Sequence, residues 1–105
     1  MTKPDLYEWY ALLPPDILDR AYTSAEGEMA FSRPDALRVV SLLQERDYRI
    51  GSIETWLPSR PGPVPLIDDW DETSAIPALR FIETFDLENK YGRDRGLPVY
   101  FSIDA

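Results

Sequence analysis

The chain has 105 residues, of which 44% are hydrophobic and 29% charged, the size and composition of one globular domain with a single core. It contains no His and no Cys, which removes the commonest general base, the commonest metal ligand, the thiol nucleophile and any disulfide framework. A formal net charge of -8 sets its field against nucleic acid and anionic membrane surfaces and in favour of basic proteins.

Leu6, Trp9, Tyr10 and Leu13 recur at helical spacing behind Pro4, so residues 4–13 are predicted as a short amphipathic helix that Pro14-Pro15 stops. The segment from Pro15 to Ala21 is predicted as one or two further helical turns, residues 23–28 as a loop, and Met29-Ala30-Phe31 as a short strand or anchor. Ser32-Arg33-Pro34-Asp35 carries the clearest helix start, with Ser32 as cap and Asp35 as a shortened capping box. The helix should run over 33–46 and bury Ala36, Leu37, Val39, Val40 and Leu43.

Residues 48–57 are rich in β-branched and aromatic types and predict a strand, with a bulge or close backbone approach at Gly51-Ser52. Pro58, Pro61, Pro63 and Pro65 then force a loop. A second main helix is predicted over 75–89, capped by Thr73 or Ser74 and burying Ala78, Leu79, Phe81, Ile82 and Phe85. After a turn at 91–96, Leu97, Val99, Phe101 and Ile103 alternate with Pro98, Tyr100, Ser102 and Asp104, the period of a strand over 98–103 with one buried face. The expected fold is one α+β domain over 1–105, a small mostly antiparallel sheet packed by the two main helices with short N-terminal helices.

Charge is concentrated. Residues 66–89 hold seven acids against Arg80 alone, and the run Asp68, Asp69, Trp70, Asp71, Glu72 surrounds a large aromatic with four carboxylates. That run is the first candidate for a partner-binding surface, because interface hot spots favour desolvated aromatics. Glu54 and Trp56, which share one face of the strand at 48–57, are its candidate neighbours. Three other readings of these residues compete with that one. A Ca²⁺ loop through Asp69, Asp71 and Thr73 has the alternate spacing but carries Ser74 where Gly is needed and lacks the closing Glu. Carboxylate pairs such as Asp68 with Asp71 could serve a small hydrolase, but every acidic chain of this size offers such pairs. The blander reading leaves the run as a solvated loop whose acids favour the next helix dipole, with Trp70 in the core. No cofactor, metal or small-molecule substrate is expected. Nor is an enzyme. The first residues lack the apolar stretch of a signal peptide and no segment spans a bilayer, so a cytoplasmic location is expected.

The Leu-Leu-Pro-Pro-Asp-Ile-Leu segment at 12–18, Ala30-Phe31 before Asp35-Ala36-Leu37, Leu42-Leu43, Ile50-Gly51-Ser52, the isolated Trp70, and Phe81-Ile82 through Phe85 together form a wider pattern. In these residues the chain resembles the immunity protein 40 family of bacterial polymorphic-toxin systems. Where that family's strand opens with Gly-Gly-Asp-Val, this chain has Gly51-Ser52-Ile53-Glu54, and no residue role is carried over on that match. The resemblance implies a small cytoplasmic protein that binds and neutralises a cognate toxin domain, and the acidic charge suits a basic toxin such as a nuclease. The alternative is a general acidic interaction or regulatory module with no toxin partner.

Overall fold

The computed structural model describes residues 7–24, 26–57, 64–65, 69–85 and 99–105. Its elements are a 3₁₀ helix (Glu8–Leu12), α1 (Pro15–Arg20), β1 (Tyr22–Thr23), β2 (Met29–Ser32), α2 (Arg33–Glu45), β3 (Ser52–Leu57), β4 (Val64–Pro65), β5 (Trp70–Asp71), α3 (Ala78–Thr84) and β6 (Tyr100–Asp104). Among the described residues the strand pairs are all antiparallel, in the order β1-β2-β6-β3-β4, with β5 also on β3. The fold is α+β.

The helix signal at 32–35 places α2 correctly but by a different mechanism. Ser32 makes no side-chain cap bond, and Asp35 turns instead to Arg20 of α1, accepting from Nε at 2.9 Å and Nη2 at 2.8 Å. A charged donor outcompetes a backbone amide for a buried carboxylate. Of the apolar face expected for α2, Ala36, Val39, Val40 and Leu43 are fully buried and Leu37 is half-buried at its edge, each of the larger buried ones worth about 1.5 to 3 kcal/mol of transfer free energy. At its far end Asp47 takes the left-handed conformation (φ 64°) and the Tyr48 amide donates to the Leu43 carbonyl, which reverses the chain toward the sheet.

Several predicted boundaries move. Of the N-terminal helix predicted over 4–13, residues 4–6 lie outside the described residues and Glu8–Leu12 is a 3₁₀ stretch, its Trp9 and Tyr10 rings packed edge to face and buried. The strand predicted from 48 begins at Ser52, and its register with β6 runs unbroken from Ser52 to Trp56, so of the two features expected at Gly51-Ser52 the structure has the close backbone approach and not the bulge, the Gly51 amide donating to the Asp104 carbonyl at 2.7 Å. The second main helix starts at Ala78 and not at 75, because a residue that precedes proline is driven out of helical geometry and Ile76 precedes Pro77. Thr73 and Ser74 therefore cap nothing: Thr73 bonds Asp71, and the Ser74 hydroxyl accepts from the Ile76 amide. Of the predicted Pro-rich loop, Val64–Pro65 instead pairs with β3, Pro65 lying opposite Trp56; residues 58–63, the remainder of the predicted helix at 86–89 and the predicted turn at 91–96 lie outside the described residues.

Antiparallel pairing and side-chain alternation divide the sheet into two faces. On the first lie Phe31, Phe101, Ile103 and Ile53, with Trp70 of β5 opposite Ile53. These residues form one core with Ala36, Val39, Val40 and Leu43 of α2, Ala78 and Ile82 of α3, Ile17 of α1 and Trp9. The second face carries Ala30, Ser102, Glu54, Tyr100, Trp56 and Asp104, none of which joins that core. Among the described residues, both longer helices pack on the first face. No described helix is long and apolar enough to cross a membrane.

Candidate functional site

The second face is ordered in three cross-strand rows. Tyr22, Ala30, Ser102 and Glu54 lie opposite one another across β1, β2, β6 and β3. One step along, Ser32, Tyr100 and Trp56 form a largely aromatic row. On the other side Asp104, Ser52 and Asp71 are in register, and Glu28 precedes β2 on the same side of the middle row. The Trp56 indole Nε1–H donates to the Ser102 hydroxyl at 2.8 Å, which ties the ring to the middle row. Tyr22, with 36% of its surface exposed, borders the opposite end of that row.

Carboxylates surround these aromatics. Glu54, Asp69, Asp71 and Asp104 are exposed and Glu28 is half-buried. Asp69 Oδ1 accepts from the Thr55 amide at 3.3 Å, standing on the outer edge of β3 between the stretches paired to β5 and β4. Partial burial first, and then the charges of Glu54, Asp104 and Glu26, raise the Glu28 carboxyl above its ordinary pKa. Burial, followed by the charges of Asp69 and Asp104, raises that of Glu54 in the same direction. At the border of the face, burial and then the Asp104 charge push the Tyr7 hydroxyl up to about 12. Among the described residues no arginine or lysine forms an ion pair with Glu28, Glu54, Asp69 or Asp104. Nor do three described carboxylates converge closely enough to hold a metal ion.

The candidate residues from the sequence fall in different places. Glu54 and Trp56 belong to the open face, as do Asp69 and Asp71, although Asp71 is held locally by Thr73, whose bonds lower its carboxyl pKa. Glu72 is paired with Arg49. Asp68 lies outside the described residues. Trp70 does not present its ring to solvent: it is 7% exposed and its Nε1–H donates to the Ile76 carbonyl at 2.7 Å, so the aromatic of the acidic run is a core residue. Alternation along β5 explains the arrangement, since a tryptophan directed to the core sends the residues before and after it to the other face. The face takes its aromatics from elsewhere, from Trp56, Tyr22 and Tyr100.

Glu28, Asp104, Tyr22 and Tyr100 were not picked out from the sequence. For Tyr100 and Asp104 the signal was present, because they occupy the non-apolar positions of a strand already recognised by its alternation. Glu28 and Tyr22 come together with them only through the β1-β2-β6 register, which no local pattern encodes. Compared with family models, with curated proteins and with solved structures, the chain has no match.

Proposed function

We propose that the chain is a non-catalytic binding protein whose open sheet face docks on a basic surface of a partner protein, and that this partner is a toxin domain which it neutralises. The observation that carries the docking is the set of Glu28, Glu54, Asp69 and Asp104 around half-buried aromatics, with no described base to neutralise them. Like charges held together on a sheet destabilise it. A positive partner would turn that repulsion into attraction, and aromatic area beside it supplies apolar burial. The toxin part rests on the resemblance to immunity protein 40 and on the acidic net charge.

The test is co-expression with a candidate toxin domain encoded beside the chain's own gene. Wild type should restore growth and form a stoichiometric complex. Glu54→Lys with Asp104→Lys should weaken the complex about 100-fold, whereas Asp19→Lys with Glu45→Lys, an equal change of charge on exposed helix residues, should leave it within a few-fold. Equal neutralisation by both double variants would remove the face from the reading. Tight binding of a basic protein without rescue of growth would keep the docking and remove the toxin.

A further inference from the structure

The side of α2 turned away from the core carries a pattern of its own. Arg38, Ser41 and Glu45 stand at i, i+3 and i+7, the spacing that aligns side chains in one stripe along a helix. Leu42 adjoins the stripe, and Pro14 and Ile17, at the start of α1, form the other wall of a groove of about 420 Å³ that is open to solvent. Ser41 and Leu42 are half-buried, whereas Arg38 and Glu45 are exposed.

The two charges are not equally satisfied. Arg38 gives Nη1 to Asp16 at 2.8 Å and keeps its Nε and Nη2 donors, while Glu45 has no ion pair or hydrogen bond among the described residues. About 10.5 Å of helix axis separates them, with Ser41 and Leu42 midway. Turned end for end, the stripe therefore presents an acid where it first presented a base. A second copy related by a two-fold axis between Ser41 and Leu42 sets each Arg38 against the Glu45 of the other copy, and in the same register each Leu42 faces the other copy's Ser41, a large side chain opposite a small one. A partner charged with one sign would satisfy one end of the groove and be repelled at the other.

We infer that α2 docks antiparallel on α2 of a second copy through this groove, forming a symmetric dimer. The stripe faces away from the sheet, so the open faces of both copies stay free, and the inference is independent of the docking proposed above. A net charge of -8 on each copy opposes association, and a contact limited to one helix and its groove is small for a stable interface. The dimer is accordingly weak, with a Kd on the order of 100 µM.

Sedimentation equilibrium of the full chain from about 10 µM to about 1 mM reads the association directly. Wild type should pass from monomer to dimer over that range. Glu45→Arg lowers the net negative charge, yet it should weaken the dimer at least tenfold, because it opposes two arginines at each end. Glu54→Lys with Asp104→Lys, on the open face, should not weaken it. An equimolar mixture of Arg38→Glu and Glu45→Arg should associate within about threefold of wild type, since the mixed dimer regains an opposite pair at both ends. Arg38→Glu also removes a partner of Asp16, so a second measure uses the absence of cysteine from the chain. Under oxidation Ser41→Cys should form a disulfide-linked dimer at least tenfold faster than Glu83→Cys, at an exposed position of α3. A wild-type chain that stays monomeric at the highest concentration overturns the inference, as does a dimer that Glu45→Arg leaves unchanged. Crosslinking of Ser41→Cys no faster than of Glu83→Cys overturns it too, and a mixture of the two folded charge variants that associates no better than either alone removes the antiparallel register.

Discussion

Two groups of carboxylates in this protein meet opposite fates. Between α1 and α2, Asp16 and Asp35 are enclosed by Arg20 and Arg38: Arg20 bonds both acids, and Arg38 Nη1 lies 2.8 Å from Asp16 and 3.6 Å from Asp35. On the open face of the sheet, Glu28, Glu54, Asp69 and Asp104 have no described cation beside them. The first group holds two helices together. The second works against the fold that carries it, and the difference separates charge used for structure from charge left for a partner.

The pKa directions follow the same division. Hydrogen bonds from Arg20 hold the Asp35 carboxyl below its ordinary value, and bonds from Arg38 hold that of Asp16 at about 2. A depressed folded pKa contributes stability that is present above the unfolded pKa and lost as pH falls through the folded one. Glu28 and Glu54 have the opposite sign: their raised pKa values favour the folded state below the unfolded pKa, and that advantage is lost as pH rises through the folded value.

The largest expected effect isolates the core from both groups. Trp70→Ala should lower stability by about 3 to 5 kcal/mol, a fall of many degrees in Tm, and should leave affinity per folded molecule unchanged; a stable variant with weakened binding would return Trp70 to the partner surface. Next, Arg20→Ala leaves Asp35, which is 4% exposed, without its main partner. Because 53% of the Arg20 side chain is in solvent, the expected loss is discounted to about 1 to 2 kcal/mol, read by denaturant unfolding, with partner affinity unaffected. A loss of affinity equal to that of a face variant would erase the distinction between the two groups.

A smaller effect is expected on the pH profile. Acidification from neutrality first relieves Glu28 and Glu54 and then disarms Asp35, so Tm should peak at about pH 4 to 5, near the ordinary carboxylate values. Arg20→Ala should flatten the fall below that peak, and Glu28→Gln with Glu54→Gln should flatten the rise toward it. A Tm that declines steadily from pH 7 downward would contradict these signs.

What was legible in the sequence was periodic. The α2 face at Ala36, Val39, Val40 and Leu43 and the β6 alternation at Phe101 and Ile103 each span enough residues to show their period, and both formed as expected. β5 is two residues long and has no period to read, so Trp70 resembled an exposed anchor until its pairing with Ile53 placed it in the core. Asp35 occupied a capping position, but its partner lies 15 residues earlier, on another helix. The open face could be read only in fragments. Glu54 and Trp56 were visible within one strand, while their association with Tyr22, Glu28 and Asp104 is a product of strand order.

The most direct test measures two properties of one variant, Glu28→Gln with Glu54→Gln. At neutral pH the variant should be more stable than wild type by a few tenths of a kcal/mol, because repulsion across the sheet is removed. In the same molecule the association rate with the partner toxin domain, measured at low salt, should fall by at least fivefold, and the remaining rate should depend less on added salt. A variant that is more stable and associates as fast as wild type, with the same salt dependence, would contradict the claim that these carboxylates are left unneutralised for a partner.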